Sequence, residues 1–260
     1  MKKKLRRWVI KAGSQMVCGG GPLLVRAWMA QVSQLRRAHN IEVIWVTSGA
    51  IASATERTGL KRNKRSLPEK QALSALGQPM VMDLYNLALN ATGLVGAQVL
   101  LTAGDIKDPQ RRKNLQNTLE KLLEWNTVPV LNENDAVATE EIQFGDNDSL
   151  SAKIAVMMKA ERLVLLTDVD GLFDANPKTH RNAQLIPYLE SISRKDLART
   201  DRVAGSLRGT GGMYSKLTAA NTALKNGIIT HLVRGDWPQN LIRLAEGASL
   251  GTQIGGQVGK

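Results

Sequence analysis

The stretch Asp146-Asn147-Asp148 sets two carboxylates around an amide at the mouth of a predicted helix. A helix start presents N–H groups without intrahelical partners, which suit an anion. Two carboxylates there repel a bare anion, so the pattern makes sense if a divalent cation or an ammonium group also visits. A ligand carrying both signs of charge, such as an amino acid meeting a Mg-nucleotide, fits better than a simple phosphate ester. Taken alone, the same residues read equally as an acidic helix N-terminus, because Asp and Asn cap helices and acids there favour the macrodipole.

Two lysines widen the choice. Lys11 directly follows the apolar run 8–10, and Lys216 falls in the first turn of a helix behind Gly209-Thr-Gly-Gly-Met213. Consecutive glycines let backbone N–H groups approach an oxyanion. A cation in a first turn opposes the dipole unless an anion is bound. A flexible glycine hinge is the plainer reading of that loop. Two lysines, backbone donors and carboxylates around one cleft make a phosphoryl-transfer site, where catalysis is positioning and charge neutralisation. No nucleophile–base pair is visible. An acceptor that is already ionised, such as a carboxylate of pKa about 4.3, needs no general base. The chain has no G-x-x-x-x-G-K-[ST] loop and lacks the protein-kinase H-R-D and D-F-G set. Asp168-Val-Asp170-Gly171 has its glycine too early for a calcium loop.

These residues need elements to hold them. Apolar runs at 8–10, 42–47, 95–101, 128–131 and 162–167 alternate with helical patterns at 22–39, 67–91, 109–125 and 149–160, the second interrupted at Pro79. A helix at 213–226 and a strand at 228–233 continue the alternation. The expected fold is α/β, a three-layer αβα sandwich with a mostly parallel central sheet covered on both faces. Ligands bind beyond the carboxyl ends of such strands. Lys11, Ser48-Gly49, the segment 132–135 and Thr167-Asp168 each leave one of those ends. Residues 168–188 read as loops and short hairpins, and 194–212 as a polar, mobile stretch. Residue 150 is the expected divide between two lobes of a single domain, although no change in composition marks it.

Composition narrows the classes. With 43% hydrophobic and 22% charged residues the 260-residue chain is globular and can bury a large core. No apolar run approaches a membrane span. Residues 1–7 resemble the charged end of a signal peptide, but Lys11 and Gly13 interrupt the apolar segment that should follow. The single cysteine, Cys18, excludes an internal disulfide, so the expected location is the cytoplasm. His39, His180 and His231 show no metal-ligand spacing. The net charge of +12 lies wholly in residues 1–65, which hold 14 Lys/Arg against 2 Asp/Glu. Such clusters can bind a polyanion, yet Trp8 is the only aromatic near them, so nucleic-acid binding is disfavoured.

Several short motifs recur in a known order: Val9-Ile-Lys-Ala-Gly-Ser14, Val46-Thr-Ser-Gly-Ala-Ile-Ala52, Lys70-Gln71 with Gly77-Gln78, Leu100-Leu-Thr102, Pro129-Val-Leu-Asn-Glu-Asn-Asp135, Phe144-Gly-Asp-Asn-Asp148, Leu165-Leu-Thr-Asp168, and Gly209-Thr-Gly-Gly-Met213 with Lys216. On them the chain resembles the glutamate 5-kinases, a branch of the amino acid kinase family. The resemblance implies transfer of phosphate from ATP, with Mg²⁺, to the γ-carboxylate of L-glutamate. The alternative is a relative acting on another carboxylate or phosphate acceptor. Lys11, Lys216 and Asp148 would be catalytic. Lys11, Thr167, Asp168 and the run Thr210, Gly211, Gly212, Met213, Tyr214, Ser215 and Lys216 would bind ATP. Ser48, Gly49, Asp135 and Asn147 would hold glutamate, with Asp135 on the α-ammonium. Asp146 and Asp148 would organise hydrated Mg²⁺; direct ligation stays open, since Mg²⁺ usually keeps several waters.

By the same resemblance the chain is expected to form a homo-oligomer and to meet proline as a feedback inhibitor. It matches the short form that ends before an RNA-modifying-enzyme-like PUA domain. It departs from the family at Ala12, at Arg112 and Lys113, and in the basic segment 57–65.

Overall fold

The first strand, β1 (Arg6–Ala12), is apolar at Trp8, Val9 and Ile10, and all three are fully buried. So complete a burial requires neighbours on both edges and both faces. β1 lies between β2 (Ile41–Val46) and β5 (Arg162–Thr167) in a computed structural model that describes residues 6–60, 65–138, 146–203 and 212–256. The expected site residues Phe144, Gly145, Gly209, Thr210 and Gly211 fall outside these ranges.

The other strands are β3 (Val95–Leu101), β4 (Thr127–Glu133), β6 (Tyr188–Leu189), β7 (Ile229–Arg234) and β8 (Thr252–Ile254). Among the described residues they form one sheet in the order β3-β4-β2-β1-β5-β7-β8-β6, with only β7–β8 antiparallel. Helices α1 (Ser14–His39), α3 (Leu67–Asn90) and α9 (Asn240–Ala245) cover one face. Helices α5 (Pro109–Glu124), α6 (Asn147–Met157) and α8 (Met213–Leu224) cover the other. The expected three-layer α/β sandwich is therefore present. Short helices α2 (Ala50–Thr58) and α4 (Ala103–Lys107) follow β2 and β3, and α7 (Arg194–Val203) packs on α8.

Strand periodicity decides which side chains reach the chemistry. In β1, Trp8, Ile10 and Ala12 join the core under α1 and α3, while Val9 joins the core under α6 and α8. Lys11 has the parity of Val9 and so points toward α6 and α8.

The α1/α3 side is built on aromatic packing. Trp28 and Trp45 have ring centroids 5.5 Å apart, and Trp45 and Tyr85 6.0 Å. The indole N–H groups of these two are satisfied, Trp28 by Gly235 O at 2.8 Å and Trp45 by Tyr85 Oη at 2.9 Å. Thr47 Oγ1 donates to the same phenol at 3.0 Å, which fixes the chain as it leaves β2. Two glycines shape the next turn. Gly49 has φ 109°, a left-handed conformation that opens α2. Gly77 lies where α3 crosses α2; a Cβ there would sit 1.8 Å from Ala50 O, so the helices touch backbone to backbone.

At the amino ends of β1 and β5, Arg6 and Arg162 lie over the ring of Trp8, 5.8 and 5.2 Å from its centroid. Arg162 Nη1 is 3.4 Å from His231 Nε2. Burial, then the Arg162 charge, hold the His231 imidazole down at about 3.

Three expectations need correction. The first helix starts at Ser14 rather than 22, with a non-helical break at Gly21 just before Pro22. Residues 194–203, expected to be mobile, form α7. Helix α2 had no counterpart in the sequence reading, because nine residues after a Ser-Gly turn give too short a period to detect.

Candidate active site

One cleft of about 900 Å³ opens along the carboxyl ends of β1, β2, β4 and β5. Helices α1, α2, α6 and α8 all begin at its wall, at Ser14, Ala50, Asn147 and Met213. Three of these starts, at Gly13, Gly49 and Gly212, have a glycine as N-cap and no side-chain cap. Their first-turn N–H groups are left for solvent or a ligand.

Beneath the cleft lies a buried ion triad. Lys11 Nζ is 2.6 Å from Asp148 Oδ1, and Lys216 Nζ is 3.3 Å from Asp148 Oδ2. Ser215 Oγ is 2.6 Å from Oδ2 and donates to it or to Gly212 O. Asp148 is fully buried, and the two lysines are only 3% and 7% exposed. Burial pushes the Asp148 carboxyl up, but Lys11, Lys216 and the Ser215 hydroxyl outweigh it and hold it at about 2. Burial also draws Lys11 below the usual lysine range, against the attraction of Asp148. The triad carries two positive charges and one negative. A net cation with little water around it is an anion site.

The two carboxylates that flank Asn147 behave differently. Asp146 is the N-cap of α6: its Oδ1 accepts from Ser149 N at 2.8 Å. Asp148, two residues on, turns inward to the lysines. The plain capping reading thus holds for Asp146 and fails for Asp148. Asn147 joins three elements, because its Nδ2 lies 2.8 Å from Thr47 O, 2.8 Å from Ser48 Oγ and 2.7 Å from Asn132 Oδ1. Its Oδ1 is buried without a partner among the described residues. Asn147 therefore ties the ends of β2 and β4 to the start of α6, leaving only the carbonyl side of its amide unused.

The remaining predicted residues divide along the cleft. Ser48, Gly49 and Asp135 line one end. Ser74 Oγ donates to Asp135 Oδ2 at 3.2 Å, yet burial, the larger effect, raises the Asp135 carboxyl. Thr167, Asp168, Gly212 and Met213 line the other end. Asp168 pairs with Lys178 at 2.8 Å. Tyr214 is 46% exposed and is absent from the lining. Thr210 and Gly211 lie outside the described residues.

Sequence reading missed part of the wall. Phe173, Pro177, Lys178 and Thr200 line the Asp168 end, and Arg65 and Lys70 the Asp135 end. No periodicity marks 173–178, and Thr200 belongs to the unforeseen α7. Lys70 did have a signal, the Lys70-Gln71 motif, but no role was attached to it. Among the described residues, no group of three or more His, Cys, Asp or Glu side chains is placed to hold a metal ion. No helix among them is long and apolar enough to cross a membrane.

Comparison with known proteins decides the lineage. A family model described as the amino acid kinase family matches residues 6–234. The chain belongs to the amino acid kinase family. Among curated relatives of this amino acid kinase, a protein named glutamate 5-kinase from Meiothermus ruber is 46% identical over 255 residues, covering 96% of this chain and 66% of its own. Proteins of the same name from Caldanaerobacter subterraneus and Thermus thermophilus are 41% and 44% identical, each covering 95% of this chain. The chain spans about two thirds of the length of these curated relatives, 66–67%. Among solved structures, an isopentenyl phosphate kinase aligns over 96% of this chain and 100% of its own, with TM-score 0.64 and 20% identity. The product complex of the T. acidophilum isopentenyl phosphate kinase gives the same TM-score at 15% identity, covering 95% of this chain and 99% of its own. At such identity the likeness concerns the fold alone.

Proposed function

We propose that this chain is a glutamate 5-kinase, transferring the γ-phosphoryl group of ATP to the γ-carboxylate of L-glutamate. The product is L-glutamyl 5-phosphate, the first intermediate toward proline. The observation that carries the reading is the buried Lys11–Asp148–Lys216 triad at the middle of a cleft with a carboxylate-bearing pocket at one end. The relatives of the same name support the choice of acceptor.

In the reaction a γ-carboxylate oxygen attacks the γ-phosphorus, one P–O bond forms, the bridging P–O bond to the β-phosphate breaks, and ADP leaves. No proton moves, because the acceptor is already ionised at neutral pH. Nothing near the triad has to act as a base, and Asp148, held at about 2, is a poor one. Its work is to hold two lysine side chains in position and to offset part of their charge. Lys11 and Lys216 neutralise the charge spread over the transferring group, aided by the uncapped starts of α1 and α8. Thr167, Asp168 and residues 210–216 hold ATP; Ser48, Gly49 and Asn147 frame the glutamate pocket, and Asp135 takes the ammonium. By this reading residues up to about 150 form the glutamate lobe and the rest the nucleotide lobe.

The donor set fits Mg²⁺ carried in by the nucleotide rather than caged by protein. Both oxygens of Asp148 already face lysines, whereas Asp146 lines the cleft with one oxygen beyond its cap bond. When bound, Mg²⁺ would screen the phosphate charge, and Asp146 is the carboxylate that would help to hold it. A cytoplasmic homo-oligomer sensitive to proline also belongs to this reading, supported by relatedness alone.

The test is incubation with ATP, Mg²⁺, L-glutamate and hydroxylamine, which traps an acyl phosphate as its hydroxamate. Glutamate-dependent hydroxamate is expected. Turnover of N-acetylglutamate or UMP without turnover of glutamate would reject the assignment in favour of another acceptor.

A further inference from the structure

The chemistry above leaves the Lys70-Gln71 motif without a part, yet α3 carries it to the cleft. Lys70, Ser74 and Gln78 recur at intervals of four and so share one face of α3. Gln78 Nε2 donates to Glu133 O at 3.2 Å, and Gln78 Oε1 accepts from Asn132 Nδ2 at 3.2 Å. One turn earlier, Ser74 holds Asp135. Gln71 Nε2 donates to Ala138 O at 3.2 Å. Successive polar side chains of α3 thus pin the segment 132–138 point by point. Lys70, last in the row, lines the cleft without a side-chain hydrogen bond or ion pair among the described residues.

Among the described residues this ammonium is unengaged, and it sits one helical turn from the serine that fixes Asp135, with about 5–6 Å between the two Cβ atoms. An α-amino acid presents an ammonium and a carboxylate on one carbon, and this wall offers one partner of each sign. We propose that Lys70 receives the α-carboxylate of the acceptor, while Asp135 receives its ammonium. Lys70 is then a specificity-determining residue: it selects α-amino acids over γ-carboxylates that lack the second acid group. Its flexible four-carbon stem lets the ammonium follow the ligand. Arg65, the other cation at this end among the described residues, already reaches Leu60 O at 3.4 Å.

This proposal rests on the glutamate kinase reading, and the experiment separates the two. ADP release by the full chain is measured with L-glutamate and with L-isoglutamine, whose α-carboxylate is an amide, for the wild type, Lys70→Met and Arg65→Met. Where isoglutamine turns over too slowly, its inhibition constant replaces KM. Lys70→Met should raise KM for glutamate about tenfold, the low end for a charge-assisted contact at an exposed site, with kcat nearly unchanged. The same substitution should move the isoglutamine constant less than about twofold, and Arg65→Met should show no such substrate dependence. Equal effects on both substrates, no effect on glutamate, or the same pattern in Arg65→Met would overturn the role of Lys70. A wild type that phosphorylates no glutamate would instead defeat the parent reading, and this one with it.

Discussion

Replacing Asp148 by Asn keeps its shape and removes the one carboxylate that two buried ammonium groups share. Lys11 and Lys216, 3% and 7% exposed, would then face each other with little water. Removing one partner of a buried ion pair costs about 3–5 kcal/mol, because a charge is left uncompensated. A second route gives the same scale. A lysine can escape by shedding its proton, which from pKa 10.4 to pH 7 costs about 4.6 kcal/mol and so caps the penalty. For a chain of this size about 2–4 °C of Tm accompanies each kcal/mol, so the ligand-free variant should melt about 6–20 °C below the wild type. The sign of the pH effect follows. A lysine whose folded pKa is depressed binds fewer protons than in the unfolded chain, so the variant should regain stability as pH rises from 7 toward 10. ADP or a non-hydrolysable ATP analogue should raise the variant's Tm more than the wild type's, since phosphate restores the missing negative charge. Thermal denaturation with and without nucleotide at two pH values reads all three effects. An unchanged Tm, or equal nucleotide gains in both proteins, would refute the account of the triad.

Three further outcomes can be measured. Lys216→Ala should lower kcat by about 10²–10³-fold, the scale of one lost transition-state donor, while KM for glutamate shifts less than about threefold; the reverse split in steady-state kinetics would remove Lys216 from the transferring phosphate. Asp135 must be ionised to hold an ammonium and its carboxyl is raised by burial, so KM for glutamate should climb as pH falls, starting above the ordinary carboxylate range. In Asp135→Asn that KM should be high and flat with pH. His231, held at about 3 in the fold, should make stability fall as pH drops from its unfolded value near 6.5, by at most about 1.4 kcal/mol per pH unit; denaturant melts of His231→Gln should show a shallower decline over that window.

Much of this was legible in the sequence because the central strands β1, β2, β4 and β5 are buried on both faces. They read as near-continuous apolar runs, and Lys11 stands out only because it follows one without a break. Helix α6 was equally visible, but its two acids were not separable: types and spacing are the same for a capping Asp146 and a buried Asp148. The distinction needs α8 to deliver Lys216 and β1 to deliver Lys11, contacts that span 68 and 137 residues of sequence. Asn147 shows the same limit, since its capping-type signature concealed bonds to Thr47 and Asn132. The polar row on α3 was hidden because Lys70, Ser74 and Gln78 look like an ordinary solvated stripe until the segment 132–138 is laid against them. Helix α7 was obscured by the polar, glycine-rich sequence around it.

The central place of β1 has a consequence for how the molecule comes into being. It precedes β2, β5 and α8 in the chain, yet it is seated between β2 and β5, and the triad that its lysine joins is complete only after α8 has been made. On the proposed reading, a nascent chain released before α8 would hold the residues assigned to glutamate but lack Lys216, and with it one of the two cations of the phosphate site. On the same reading, kinase activity would report that α8 has docked against α6 and completed the triad begun on the first strand.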